Sequence, residues 1–162
     1  AYHFGKTDLI APVWIPAFYS AAMAADAMAA LLLGRLYDRI GIGAMILATC
    51  ASALAAPLAF LGNPAAAMTG MVLWGIGMGA QASVMRAAIA PLAPSVKRGT
   101  AYGIFNAAYG LAWFAGSALL GVLYGWSVEA ASAASFLLQG GAAALLCLAL
   151  PKQAERSAPK AR

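Results

Sequence analysis

Charge is what this sequence has least of. Of its 162 residues only 9% are Asp, Glu, Lys or Arg, while 64% are hydrophobic. A soluble domain carries about 25% charged residues to keep its surface in water. Much of this surface must therefore face another medium, and lipid fits. Histidine occurs once, as His3, and cysteine twice, as Cys50 and Cys147. The cysteines lie in different apolar stretches without metal-ligand spacing, and read as small packing residues. The sequence has no His/Cys cluster, phosphate-binding loop or paired acids, so nothing in it points to an enzyme, a metal or a cofactor. Gly75, Gly77 and Gly79 follow no strand pattern and read as helix-packing glycines. The net charge of +5 comes without a basic helix face interleaved with aromatics, which argues against nucleic acid as a partner.

Long apolar runs are what the sequence does have. A bilayer core about 30 Å thick takes roughly 20 helical residues. Five runs are of that order: residues 10–33, 44–61, 65–91, 100–124 and 128–150. Within them only Asp26, Arg86 and Glu129 are charged. The runs are too uniform for strands that alternate between lipid and lumen. Helices satisfy their own backbone groups in hydrocarbon, so helix is the reading. The expected fold is an all-α polytopic membrane protein with five transmembrane helices in residues 1–150. The tail, residues 151–162, is basic and aperiodic, and is expected to be disordered beside anionic headgroups. The chain opens on Ala1 with no basic n-region or cleavage site, so the sequence is expected to be part of a longer one.

Turn chemistry separates the runs. In Gly62-Asn63-Pro64, glycine closes one helix, asparagine caps the next and proline fits its first turn. Gly125-Trp126-Ser127 repeats the pattern, with Ser127 as N-cap and Glu129 near the positive end of the helix dipole. Pro151 is expected to stop the last helix. Orientation follows from the basic residues. Arg35 and Arg39 lie in the connection 34–43, Lys97 and Arg98 in 92–99, and Lys152, Arg156, Lys160 and Arg162 in the tail. The other side has only Lys6, so eight basic residues oppose one. The positive-inside rule puts the eight in the cytoplasm, with the start of the chain outside and the C-terminus inside a cell (inner) membrane.

The connection after the first run reads Gly34-Arg35-Leu36-Tyr37-Asp38-Arg39-Ile40-Gly41. It resembles the G-x-x-x-D-[RK]-x-G signature of the major facilitator superfamily. In that family the pattern links the second and third helices, and a weaker copy links the eighth and ninth. Ile42 and Gly43 stand where the stronger copy carries basic residues, which suits the second copy. Arg98-Gly99-Thr100-Ala101-Tyr102-Gly103 looks like the family's entry into its eleventh helix. The resemblance implies helices eight to twelve of a transporter whose N-terminal transmembrane half is the absent partner. Physically, Gly34 and Gly41 permit a tight reversal. Asp38 is an anion suited to capping a helix N-terminus, and Arg35 and Arg39 pair with carboxylates or phosphates. Such a set is either a conformational latch on the cytoplasmic ends or an ordinary charged turn; the resemblance favours the latch.

Polar residues inside the runs are the candidates for function. Asp26 lies eight positions before Gly34, about 12 Å deep at 1.5 Å per residue, and shares a face with Tyr19 and Met23. Intramembrane acids face a cavity or a partner, so Asp26 is either a proton-coupling or substrate-contacting acid or a structural one. Arg86 shares a helical face with Gly75, Gly79 and Ser83, a small-residue face suited to close packing. It reads as an interhelical tether rather than a substrate ligand, its partner Asp26 or Asp38, and the resemblance favours Asp38. Opposite it, Trp74, Met78, Gln81 and Met85 form a mixed stripe, matched in the fourth run by Tyr102, Asn106, Tyr109 and Trp113. Such stripes line either a water-filled cleft or a packed interface. The second and fifth runs carry only Thr49, Ser52 and Gln139 as notable polar groups, and are expected to face lipid more.

The expected function is transport of a small solute, driven by protons or another gradient, by rocking of two halves around a midplane site. The alternative is a non-transporting membrane sensor or assembly subunit of the same architecture. The topology is directly testable. In intact cells, an impermeant thiol reagent added outside should label Asn63→Cys and spare Ser95→Cys. The reverse pattern would invert the orientation.

Overall fold

The computed structural model describes residues 2–7 and 10–157. A short helix α1 (Tyr2–Thr7) is followed by a 3-10 turn (Pro12–Trp14) that leads into the long helix α2 (Ile15–Ile40). Then come α3 (Gly43–Ala53), α4 (Ala55–Leu61) and α5 (Pro64–Ala80). A π turn (Gln81–Met85) joins α5 to α6 (Arg86–Ile89). Two 3-10 turns (Ala90–Leu92 and Ser95–Lys97) precede α7 (Arg98–Trp126), and α8 (Val128–Ser157) ends the described chain. No strand occurs among the described residues. All five apolar runs are helical. Among the described residues, four helices are long and apolar enough to cross a membrane: Pro12–Ile40, Gly43–Leu61, Ser95–Trp126 and Val128–Leu148. The run 65–91 forms a further rod, divided by the π turn.

Proline and the caps explain most boundaries. Pro57 cannot donate to the carbonyl of Ala53, and its ring crowds that carbonyl. The second rod accordingly breaks at Leu54 into α3 and α4. Asn63 caps α5 by accepting from the Ala66 N–H at 2.9 Å, with Pro64 at the first helical position. Ser127 caps α8 by accepting from the Ala130 N–H at 2.9 Å. Both N-caps are those expected, whereas the glycines close differently: Gly62 has φ −92° and Gly125 lies within α7.

Two boundaries differ from expectation. α2 does not end near Gly34 but runs through the charged motif to Ile40. The reversal falls on Gly41 alone, whose φ of 61° is the left-handed value that favours glycine. Gly34 is helical, and the next helix begins without a side-chain cap from Asp38. Leu, Arg and Tyr tolerate helix well, so the motif is read as the last turns of α2 until Gly41 allows the chain to leave. At the other end, α8 passes Pro151 and reaches Ser157. A proline removes one N–H bond and crowds the carbonyl four residues before it, but Lys, Gln, Ala, Glu and Arg after Pro151 are strong helix formers and the helix continues through it. Residues 158–162 of the expected tail lie outside the described residues.

α5 is the centre of the bundle, and glycine makes it so. A Cβ on Gly75 would lie 2.1 Å from the Ala22 carbonyl oxygen, and one on Gly79 would lie 2.4 Å from the Asp26 carbonyl oxygen. These two glycines let the backbones of α5 and α2 touch. On another face, a Cβ on Gly70 would lie 2.7 Å from the Ala55 oxygen, and one on Gly77 would lie 2.8 Å from Ser52 Cβ. That face seats α3 and α4. Two small cores flank these seams. Ala44, Met45, Ala48, Ala80 and Val84 form one, and Phe4, Ile10, Phe18 and Ala67 the other. The second rod, expected to face lipid, is the most buried of the four spanning helices, because Ala44, Ala48, Thr49, Ser52, Ala53 and Ala55 admit neighbours closely. Its hydroxyls turn back on their own helix, Thr49 to the Met45 oxygen at 2.8 Å and Ser52 to the Thr49 oxygen at 3.2 Å. By contrast α7 buries no residue within this chain, and its glycines, Gly110 among them, meet nothing. Cys50 and Cys147 are free thiols on the outer surface.

Gly75→Val should therefore lower the thermal stability of the detergent-solubilised protein by the cost of overpacking, about 1–3 kcal/mol or more. Gly110→Ala should leave the melting temperature unchanged or slightly raised. Equal effects would contradict the seam.

Candidate functional site

The third rod has one face left once its glycine seams are filled, and that face meets α7. Met78, Gln81, Ala82, Met85 and Arg86 from the rod, with Phe105, Asn106 and Tyr109 from α7, line a cleft of about 170 Å³. Both mixed stripes read from the sequence contribute to it. The Tyr109 hydroxyl donates to Gln81 Oε1 across the cleft. Tyr102 donates from its hydroxyl to the Arg86 carbonyl oxygen at 3.1 Å, which ties α7 to α6 beside the opening. Phe105 stacks on Tyr109 at 5.9 Å, and Tyr109 leans on Trp113 at 5.7 Å. The three rings form an aromatic ladder along α7 that ends in the half-exposed Trp113.

Arg86 is where the sequence reading needs correction. Straight α-helical spacing put it on the Gly75, Gly79 and Ser83 face. The first part of that face is indeed the packing seam, and Ser83 donates to the Gly79 carbonyl oxygen at 2.8 Å. The π turn uses more residues per turn than an α-helix, so every position after it falls behind the α register. Arg86 follows the π turn, is exposed, and lines the cleft. Among the described residues no ion pair joins it to Asp26 or Asp38, so neither expected tether forms here. The only sequence sign of the π turn is the glycine-rich stretch before it, which does not specify one.

Asp26 lies fourteen residues from either end of the Pro12–Ile40 helix, about 21 Å at 1.5 Å per residue. It therefore lies midway along this helix, farther from its end than a helix ending at Gly34 implied. Its side chain is half-buried, has no ion-pair partner among the described residues, and does not line the cleft. Tyr19 is also separate. With Trp74, Ser52, Ser135, Gln139 and His3 it lines a second, more apolar cavity of about 440 Å³ towards the opposite end of the bundle. There His3 Nδ1 lies 2.9 Å from the Tyr124 hydroxyl, closing α1 onto α7. Arg35, Asp38 and Arg39 all project, exposed, from the last turns of α2. The structure thus brings Gln81, Asn106, Tyr109 and Arg86 together, with Trp113 at the end of their aromatic ladder, and keeps Asp26, Tyr19 and the charged motif apart from them.

These features define a multi-pass α-helical membrane protein with a polar cleft between two of its rods. A family model described as Major Facilitator Superfamily matches residues 3–162. The chain belongs to the major facilitator superfamily, a family of transporters. It is similar to uncharacterised proteins of Mycobacterium tuberculosis and Mycobacterium bovis, each 38% identical over 128 residues, covering 79% of this chain and 31% of the relative. The chain spans about a third of the length of these curated relatives. No solved structure matches it.

The Tyr109–Gln81 bond joins the two walls of the cleft side chain to side chain. Tyr109→Phe should leave the Gln81 amide oxygen without its donor and let α7 move relative to the third rod. A cysteine pair at Ala82 and Asn106 should then cross-link less efficiently in the Tyr109→Phe background. Unchanged cross-linking would show that the bond does not hold the cleft.

Proposed function

We propose that this chain is the C-terminal part of a secondary transporter, helices eight to twelve of the superfamily fold, moving a small solute across the cell membrane by alternating access. The observation that carries this reading is the cleft. Intramembrane amide, phenol and guanidinium groups are costly in lipid and collect where a cavity admits water or substrate. Here four of them converge on one opening between two rods. Its volume of about 170 Å³ falls below the roughly 300–1,000 Å³ of a complete small-molecule site. That is what one wall of a site shared with another transmembrane half would supply. The C-terminal placement rests on the weaker form of the Gly34–Gly41 motif and on the eight basic residues that the positive-inside rule assigns to the cytoplasm.

Protons drive transport in this reading, and Asp26 is the coupling acid. It is a mid-membrane carboxyl on the α2 helix that leans directly on the central rod, so a change in its charge acts at the seam. Arg35, Asp38 and Arg39 serve as the cytoplasmic latch. Their exposure at the end of α2 leaves them free to engage another part of the complete protein in one conformation and release it in another.

Asp26→Asn in the complete protein should fold and bind solute normally, lose proton-driven accumulation and keep downhill exchange. Full proton-driven accumulation by a well-folded Asp26→Asn protein would end the coupling assignment. A complete wild-type protein that moves no solute under any gradient would favour a sensor or assembly subunit instead.

A further inference from the structure

The composition of the cleft wall carries information about the charge of the solute. Its polar side chains are Gln81, Asn106, Tyr109 and Arg86, of which three are neutral and one is a permanent cation. Among the described residues no acid lines it. Asp26, Asp38 and Glu129 lie elsewhere, and no described residue forms an ion pair with Arg86. Gln81 is engaged by Tyr109, so the amide and phenol present a joined neutral surface beside the guanidinium. The remaining wall is Met78, Ala82, Met85 and Phe105, an apolar surface with one aromatic face.

An exposed guanidinium at the edge of an apolar cleft attracts an anion, and its planar fork matches a carboxylate with two parallel hydrogen bonds. We propose that the cleft takes a small monocarboxylate with an apolar body, its carboxylate on Arg86 and its body against Met78, Met85 and Phe105. This rests on the reading of the cleft as the solute site. The π turn is the device that makes it possible, because it turns Arg86 from the glycine seam to the cleft. Asn106, an amide donor on the opposite wall, completes the polar end.

The test uses the purified complete protein and three probes with one body and three charges: benzoate, benzamide and benzylamine. Thermal stabilisation by each is measured for the wild type, Arg86→Gln, Arg86→Lys and Asn106→Ala. Benzoate alone should stabilise the wild type. Arg86→Gln should weaken benzoate binding by about tenfold or more, the loss of a charge-assisted bond. Arg86→Lys should retain part of it, and benzamide should bind Arg86→Gln no worse than it binds the wild type. Stabilisation by benzamide or benzylamine equal to that by benzoate, or none by any probe, overturns the proposal. So does a large drop in ligand-free stability with Arg86→Gln that a second neutralised acid restores, since Arg86 would then be paired within the protein. The cleft as the solute site fails separately. That result is transport of any solute by the complete protein that neither Asn106→Ala nor Tyr109→Phe alters.

Discussion

The structure depends on the direct contact of two helix backbones at Gly75 and Gly79. In a bilayer, apolar side chains gain little by leaving lipid for each other, so helices associate through close packing and polar contacts. Large side chains would hold α2 and α5 apart. Glycine removes them, and the carbonyls of Ala22 and Asp26 fill the space where a Cβ would stand. Gly70 does the same towards α4, and Gly77 leaves room for the Ser52 side chain of α3. One rod is thereby gripped from two sides, and the rest of the bundle is arranged around it.

That arrangement decides where polar groups go. With two faces of α5 packed against α2, α3 and α4, the Met78, Gln81 and Met85 stripe is left for α7, which meets it through Tyr102, Phe105 and Tyr109. The glycine stretch leads into the π turn, which adds a residue to the coil and delivers Arg86 to the same opening. Packing and site are two consequences of one seam. The exposure of α7 elsewhere fits the same picture: it is held in this chain by α8 and by its contacts at the cleft, and its outer glycines present a smooth surface.

Much of this was legible in the sequence because the bilayer imposes length and composition so strongly. The apolar runs, the Asn63 and Ser127 caps and the two polar stripes could all be read from residue order. What could not be read depends on interactions between helices or on changes of register. Helical spacing assumes a constant number of residues per turn, so the π turn displaced Arg86 without warning. Gly34 looked like a stop because glycine disfavours helix, yet α2 packs along its length and carries the helix on to Gly41. Thr49 and Ser52 looked too sparse to mark an interior helix. In lipid, however, it is small size that brings a helix inside, and their hydroxyls are satisfied by their own backbone. The separation of Asp26 and Tyr19 from the cleft is a matter of tertiary placement alone.

The central claim is that the cleft between the third rod and α7 opens to water as part of a solute pathway. Its most direct test is the thiol reactivity of Asn106→Cys in the complete protein, in a Cys50→Ser, Cys147→Ser background. A water-soluble maleimide should label that position through an aqueous opening, and labelling should fall when the opposite-facing conformation is favoured. Labelling only by a lipid-partitioning reagent, with none by the water-soluble one in either conformation, would mean that this face of α7 meets lipid or packed protein, and would contradict the account.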